Sequence, residues 1–139
     1  MNTFSFSSGL LLVMASLLAA FSFSCTSSPY RQGEALYGIY CANCHMQNGE
    51  GLAELYPPLA GADYLSAQDG NLACLIRNGM SGPMVVNARQ FDMQMPGVPS
   101  LTSVEITNII NFIHHAWGNE LRTVTLDEVS EQLRQCEKK

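Results

Sequence analysis

The sequence predicts an all-α fold, and three observations predict it. Apolar residues recur every three or four positions in successive segments, two capping boxes open segments near the C-terminus, and no stretch alternates convincingly like a half-buried strand. At 139 residues the chain has room for one domain once a processed N-terminal segment is set aside, and no internal repeat is visible.

Residues 1–24 carry no charged side chain and hold an apolar run from Leu11 to Phe21. The run is too short to span a bilayer core of about 30 Å, which takes roughly 20 residues, but it suits the core of an export signal. It ends at Cys25, followed by the Ser-rich T-S-S-P-Y that leads to residue 30. A cysteine after small residues, then a polar tether, predicts a lipoprotein-type signal in which acylated Cys25 anchors an exported domain to a membrane surface.

The segment GEALYGIYCANCH predicts a first helix, with Leu36, Tyr37 and Tyr40 at helical spacing and the cysteines at its end. Residues 47–66 read as loop, because Pro57 lacks a backbone donor and Pro58 restricts the residue before it. Asp69 is placed to cap a helix over GNLACLIRNG, with Leu72, Leu75 and Ile76 on one face and Gly79 as its stop. Residues 81–100, with three prolines, read as irregular. Thr102 and Glu105 then form a capping box for VEITNIINFIHHAWGN, whose apolar flank is too broad to face water. A second box, Thr125 with Glu128, opens the amphipathic LDEVSEQLRQC. The predicted organisation is a signal over 1–24, a tether over 25–30, a main domain over 31–119 and a helical extension over 120–139.

With 7 basic and 12 acidic residues the formal net charge is -5. That balance excludes nucleic acid as a partner, since its backbone must be neutralised by Lys and Arg. It also implies that a protein partner docks through apolar contact or is itself basic.

The chemistry concentrates in C-x-x-C-H, at Cys41, Cys44 and His45. As half of a zinc site it would need a second pair of ligands, and Cys74, Cys136, His114 and His115 form no second C-x-x-C knuckle. As a thioredoxin-like redox pair it should follow a strand, whereas it follows a helical pattern. As a haem c attachment site its spacing has a physical sense: two thiols on one turn bond the two vinyl-derived edges, and the next histidine is held under the iron. Haem attachment of this kind takes place outside the cytoplasm, in keeping with export. A sixth ligand should come from a distant loop, and Met95 in Q-M-P-G sits on a short stretch stiffened by Pro96 and Pro99. A thioether is a soft ligand that raises the potential of a haem iron. Met84 and Met93 are its rivals.

These blocks together resemble a small bacterial class I cytochrome c. The likeness runs from Tyr30 to Asn119 through GEALYGIYCANCH, GEG, YPPLAGADYL, LIRNGMSGPMVVNARQF, MPGVP and EITNIINFIHHAWGN. It is nearest to single-haem domains that serve membrane oxidases and quinoprotein dehydrogenases. The resemblance implies a cytochrome c fold of three to four core helices around one covalent haem, with thioethers at Cys41 and Cys44 and axial ligands His45 and Met95. It also implies that the Pro58 carbonyl orients the His45 ring, and that Gly33 and Tyr37 cross Ile109 and Phe112. The implied function is one-electron transfer, not enzymatic catalysis, between a donor and an acceptor such as a dehydrogenase, a quinol-oxidising complex or a terminal oxidase, at the periplasmic face of a membrane.

Two features fall outside the pattern: the capped tail, and the cysteines Cys74 and Cys136. With Cys25 acylated and two cysteines on haem, parity pairs these two, and a disulfide in an exported protein would clip the tail to the body. His114 and His115 are expected to pack or face solvent, and Trp117 to sit in the core or beside the haem edge. Arg77, Asn78, Tyr56 and Tyr64 are candidates to reach the haem periphery. Two other functional classes compete with a free carrier: a haem peroxidase or gas sensor, which needs an open sixth position, and a haem subunit of a larger complex, monomeric otherwise.

Overall fold

A computed structural model of the chain describes residues 28–136. The predicted signal and Cys25 lie outside the described residues. The elements in order are α1 (Arg31–Tyr40), α2 (Ala42–His45), α3 (Asp63–Ala67), α4 (Leu72–Asn78), β1 (Gly79–Met80), β2 (Met84–Val86), β3 (Arg89–Phe91), β4 (Met95–Pro96), α5 (Ser103–His115) and α6 (Leu126–Cys136). Among the described residues no helix is long and apolar enough to cross a membrane.

The helix expected to run unbroken into the cysteines bends at Cys41, whose backbone (φ -121°, ψ -37°) leaves helical values. Hydrogen bonding continues across the bend: Cys41 N–H donates to the Tyr37 carbonyl at 2.9 Å, and His45 N–H to that of Cys41 at 3.0 Å. The bend delivers His45 to the interior, 9% exposed.

α1 and α5 cross at Gly33, where a Cβ would collide with the Asn108 carbonyl and lie 2.7 Å from the Phe112 Cβ. The close approach buries Tyr37, Ile106 and Ile109 completely. Beside it the rings of Tyr37, Phe112 and Trp117 meet at centroid distances of 5.0 to 5.4 Å, in tilted and edge-on geometries that the ring quadrupole favours. α5 stops at His115, short of the predicted Asn119, and Trp117 turns back at φ 53° to reach this cluster.

The stretch read as irregular contains two antiparallel pairs. β2 and β3 form a hairpin (Met84↔Phe91, Val86↔Arg89) through Asn87 and Ala88, both at positive φ, the geometry of a two-residue hairpin turn. β1 pairs with β4, placing Met80 opposite Met95. Strands of two and three residues are too short to show an alternating pattern, and Ala stands where such a turn favours Gly.

Both capping boxes form. At Thr102 the side chain accepts from Glu105 N–H at 3.3 Å, and Glu105 accepts from Thr102 N–H at 2.7 Å; Thr125 and Glu128 repeat the arrangement at 3.3 and 2.7 Å. Asp69 does not cap α4. It lies before Asn71, the N-cap residue, and its carboxylate pairs instead with Arg122 at 2.6 Å. α6 folds back over α4 and α5, burying Val129 and Leu133, and a disulfide joins Cys74 to Cys136 with Cα atoms 5.9 Å apart.

Candidate functional site

α2, α3, α4 and α5 wall a mostly apolar cavity. Cys41, Cys44 and His45 line one side; Leu65, Leu72, Ile76, Ile110 and Ile113 make its flanks; and Met80, Met84, Met93 and Met95 reach it from the strands and their connections. The three residues of C-x-x-C-H are thus gathered at a greasy hollow rather than at a cluster of further ligands. Among the described residues no three His, Cys, Asp or Glu side chains group to hold a metal ion.

His45 is set by its surroundings for one task. Its Nδ1 lies 3.0 Å from the carbonyl oxygen of Pro57, an acceptor, so this nitrogen carries the proton and donates it. Burial holds the imidazole below the usual histidine range, partly offset by that hydrogen bond, so the ring is held neutral. A neutral ring with Nδ1–H engaged leaves the Nε2 lone pair free for a metal, the arrangement in which an outer partner fixes tautomer and orientation.

The orienting carbonyl is that of Pro57, not Pro58 as the resemblance implied; Pro58 only lines the cavity. The reason lies in the intervening loop. Gly51 N–H donates to the His45 carbonyl at 3.0 Å, and Leu52 and Tyr56 pair with each other at 3.0 and 3.2 Å, closing residues 52–56 into a short excursion. The chain re-enters beside His45 at Pro57. Gly51 (φ +70°) permits this, because a Cβ there would stand 2.8 Å from the Pro57 oxygen. Two adjacent proline carbonyls look alike in sequence, and only the size of that excursion chooses between them.

The loop is pinned from both ends. The buried Tyr37 phenol, its pKa raised first by desolvation, stays protonated and donates to the Met46 carbonyl at 2.7 Å. Gly49 packs under the Trp117 ring, 2.6 Å from Cζ3 for a hypothetical Cβ. Asn119 ties Leu59 and Gly61 to the end of α5 through bonds of 3.0, 2.8 and 2.8 Å to the Leu59 carbonyl, the Ile113 carbonyl and Gly61 N–H. Met46, Gly49 and Asn119 thereby hold the loop that positions the histidine.

The Cys41 thiol is poorly set for disulfide exchange: burial, with a smaller contribution from Cys44, raises it to about 11, whereas that exchange works through the thiolate. A covalent thioether has no such requirement once formed. Two cysteines on one helical turn, an adjacent neutral imidazole with a free Nε2, an apolar hollow and opposing thioether side chains fit a single covalent haem c.

Among the remaining candidates, Tyr56 and Tyr64 line the cavity, while Arg77 and Asn78 do not. The Arg77 Nε is buried and finds no hydrogen-bond partner among the described residues. His115 is exposed and stacks on Tyr30 at 4.7 Å. His114 is 1% exposed, lines the cavity wall and donates from Nδ1 to the Arg122 carbonyl at 2.7 Å, while its Nε2 faces the Asp69 carboxylate at 4.0 Å, beyond hydrogen-bond reach. Met80 was missed by sequence reasoning; it follows Gly79 in an unremarked N-G-M-S-G turn, and only the β1–β4 pairing brings it to the cavity.

Comparison with known proteins agrees with this geometry. The Cytochrome c family profile matches residues 30–117, more than half of the chain. Cytochrome c-552 of Thermus thermophilus is 35% identical over 83 residues, covering 57% of this chain and 63% of that protein. The cytochrome c subunit of the quinone-dependent alcohol dehydrogenase of Gluconacetobacter polyoxogenes is 35% identical over 101 residues, 70% of this chain but only 21% of that subunit. The corresponding subunit from Gluconobacter oxydans is 34% identical over 93 residues, 63% of this chain and 19% of its own length. The chain therefore spans under two thirds of each of these relatives.

Proposed function

The chain belongs to the cytochrome c family, and from that premise we infer that it is a one-electron carrier, not an enzyme, with His45 and Met95 as the axial ligands of its single haem c. The observation that carries this reading is His45 itself: buried, neutral, with Nδ1–H given to Pro57 and Nε2 left for the cavity that four methionines face. When bound, haem supplies the one-electron couple of its iron. The protein's part is to hold Nε2 in place, to exclude water with the Leu and Ile flanks, and to close the opposite side with a thioether.

Several observations favour Met95 over the other three. The Met80 sulfur already accepts the Tyr64 hydroxyl at 3.6 Å, Met93 is 47% exposed, and Met84 sits at the open end of a hairpin whose polar anchors, Asn87 to Asp63 and Gly61 and Arg89 to Glu54, are at the turn end. Met95 has its backbone held by the β1 pairing and, three residues on, by Val98 N–H donating to the Ile76 carbonyl at 2.9 Å. A filled sixth position favours the carrier over a peroxidase or gas sensor.

The named relatives that are dehydrogenase subunits support a dehydrogenase-type redox complex as donor or host. Export, with acylation at Cys25 holding the domain at the periplasmic face of a membrane, is the matching location. Exposed Met93, which lines the cavity, offers apolar contact to a partner.

Met95→Leu in the haem-loaded protein tests the assignment. The expected result is loss of the thioether-to-iron charge-transfer band and a lower midpoint potential with the covalent haem retained. Persistence of the band transfers the sixth ligand to Met80, Met84 or Met93. Rapid, complete binding of carbon monoxide by the unmodified ferrous protein would replace the carrier with a ligand-binding function.

A further inference from the structure

Three attachments from the tail beyond the family match hold the start of α4, two within its N-terminal half and one just before it. Cys136 is bridged to Cys74. Gln132, buried at 8% exposure, accepts from Ala73 N–H at 3.1 Å and donates to the Asp69 carbonyl at 3.0 Å. α4 needs this help: it has seven residues, its own N-cap Asn71 makes no side-chain cap, and isolated helices below roughly 12 residues are marginal. The first-turn N–H that a helix must satisfy is satisfied from another element, 59 residues away in sequence.

The other end of α4 carries the Met95 segment without an intervening gap. Gly79 (φ +78°) leads straight into β1, which pairs Met80 with Met95 and Gly79 with Pro96. A Cβ at Gly79 would collide with the Met95 carbonyl, and one at Gly97 would lie 2.6 Å from the Arg77 oxygen and 2.7 Å from Gly79 N. Val98 N–H is bonded to the carbonyl of Ile76, inside the helix. Two backbones packed this closely, with no side chain between them, move together.

We propose that the disulfide-clipped tail is a lock on the sixth ligand: Cys74–Cys136 and Gln132 position α4, and α4 positions Met95. Cys74, Cys136 and Gln132 are positioning residues that do not line the haem cavity. With the lock intact Met95 stays on the iron; with the tail released, α4 shifts and frays, and the thioether leaves more often, opening the sixth position to an outside ligand. The inference rests on Met95 being the sixth ligand.

The test titrates ferric, haem-loaded protein with imidazole and follows the thioether-to-iron band, comparing wild type with Cys74→Ser/Cys136→Ser and with Gln132→Leu. The apparent imidazole affinity scales with the fraction of molecules whose Met95 has left, so the double variant should bind roughly tenfold more tightly, the size expected when part of a disulfide's stabilisation is lost locally. Gln132→Leu should move the same way by less, and the Val98 amide should exchange faster in both. If the double variant fails to accumulate, the bridge is opened in wild type with a dithiol, which becomes a cyclic disulfide as it delivers two electrons and two protons to yield the Cys74 and Cys136 thiols. These are alkylated and the iron is reoxidised before titration, with the same increase expected. Unchanged imidazole affinity with the bridge shown absent by mass overturns the lock. Met95→Leu separates the two readings: if it abolishes the band while the tail variants leave imidazole binding unmoved, only the lock is refuted, and if the band survives it, the ligand assignment fails and the lock with it.

Discussion

Gly33 shows how a single position sets the frame for the site. The Asn108 carbonyl occupies the space a methyl group would take, so Gly33→Ala forces α1 and α5 apart. Overpacking of this kind costs about 1–3 kcal/mol, and denaturant melts of the haem-loaded protein should show a loss in that range with the visible spectrum unchanged. The glycine was legible through the family resemblance, which implied its crossing with the last core helix, and the close approach gives the physical reason for a residue without a Cβ. The Pro57 carbonyl was not legible, since it depends on how residues 52–56 close on themselves. Nor was the role of His114, which sequence spacing places beside His115 with no sign that one is buried and the other exposed.

At the scale of elements, the two capping boxes are the features most completely written in the sequence, because both donors and acceptors lie within four residues. The Glu105 and Glu128 carboxylates are held below the usual range chiefly by the N–H groups of Thr102 and Thr125. A carboxylate lowered in the folded state contributes stability above its unfolded value of 4.5 and loses it as the pH falls through the lower folded value. Acidification should therefore fray the first turns of α5 and α6 before the core melts, with the Thr102 and Thr125 amides the first to lose exchange protection. Glu105→Gln should abolish that pH dependence at α5 alone, whereas Thr102→Ala, which keeps the backbone N–H that Glu105 accepts, should cost about 1 kcal/mol and only weaken it. Short elements were the opposite case. β1 and β4 have two residues each and exist only because α4 ends beside the Met95 segment.

For the whole molecule, much of the hydrophobic wall faces the haem cavity instead of other protein: Leu72, Leu75, Ile76, Ile110 and Ile113 all line it. A small domain whose core is completed by a bound group loses that core when the group is lost. Cys41→Ser/Cys44→Ser, which removes covalent attachment, should give a chain without a cooperative thermal transition by circular dichroism; a sharp melt near that of the loaded protein would contradict this. The tail then acts on an assembled body. Its ion pairs, Arg122 with Asp69 and Glu128, are solvent-accessible and contribute little individually, so burial of Val124, Val129 and Leu133, the disulfide and Gln132 carry its attachment.

What the sequence determined by itself is local or compositional. The C-x-x-C-H turn, both capped helices and the net charge of -5 are properties of residues close in the chain or of their sum. What the tertiary structure decided is everything that depends on a loop's closure: Pro57 as the partner of His45, Met80 beside Met95, and the cap that Gln132 lends to Ala73. Periodicity reports which face of a helix is apolar, but which groups lie opposite one another after 12, 16 or 59 residues of chain is set by packing against the whole core.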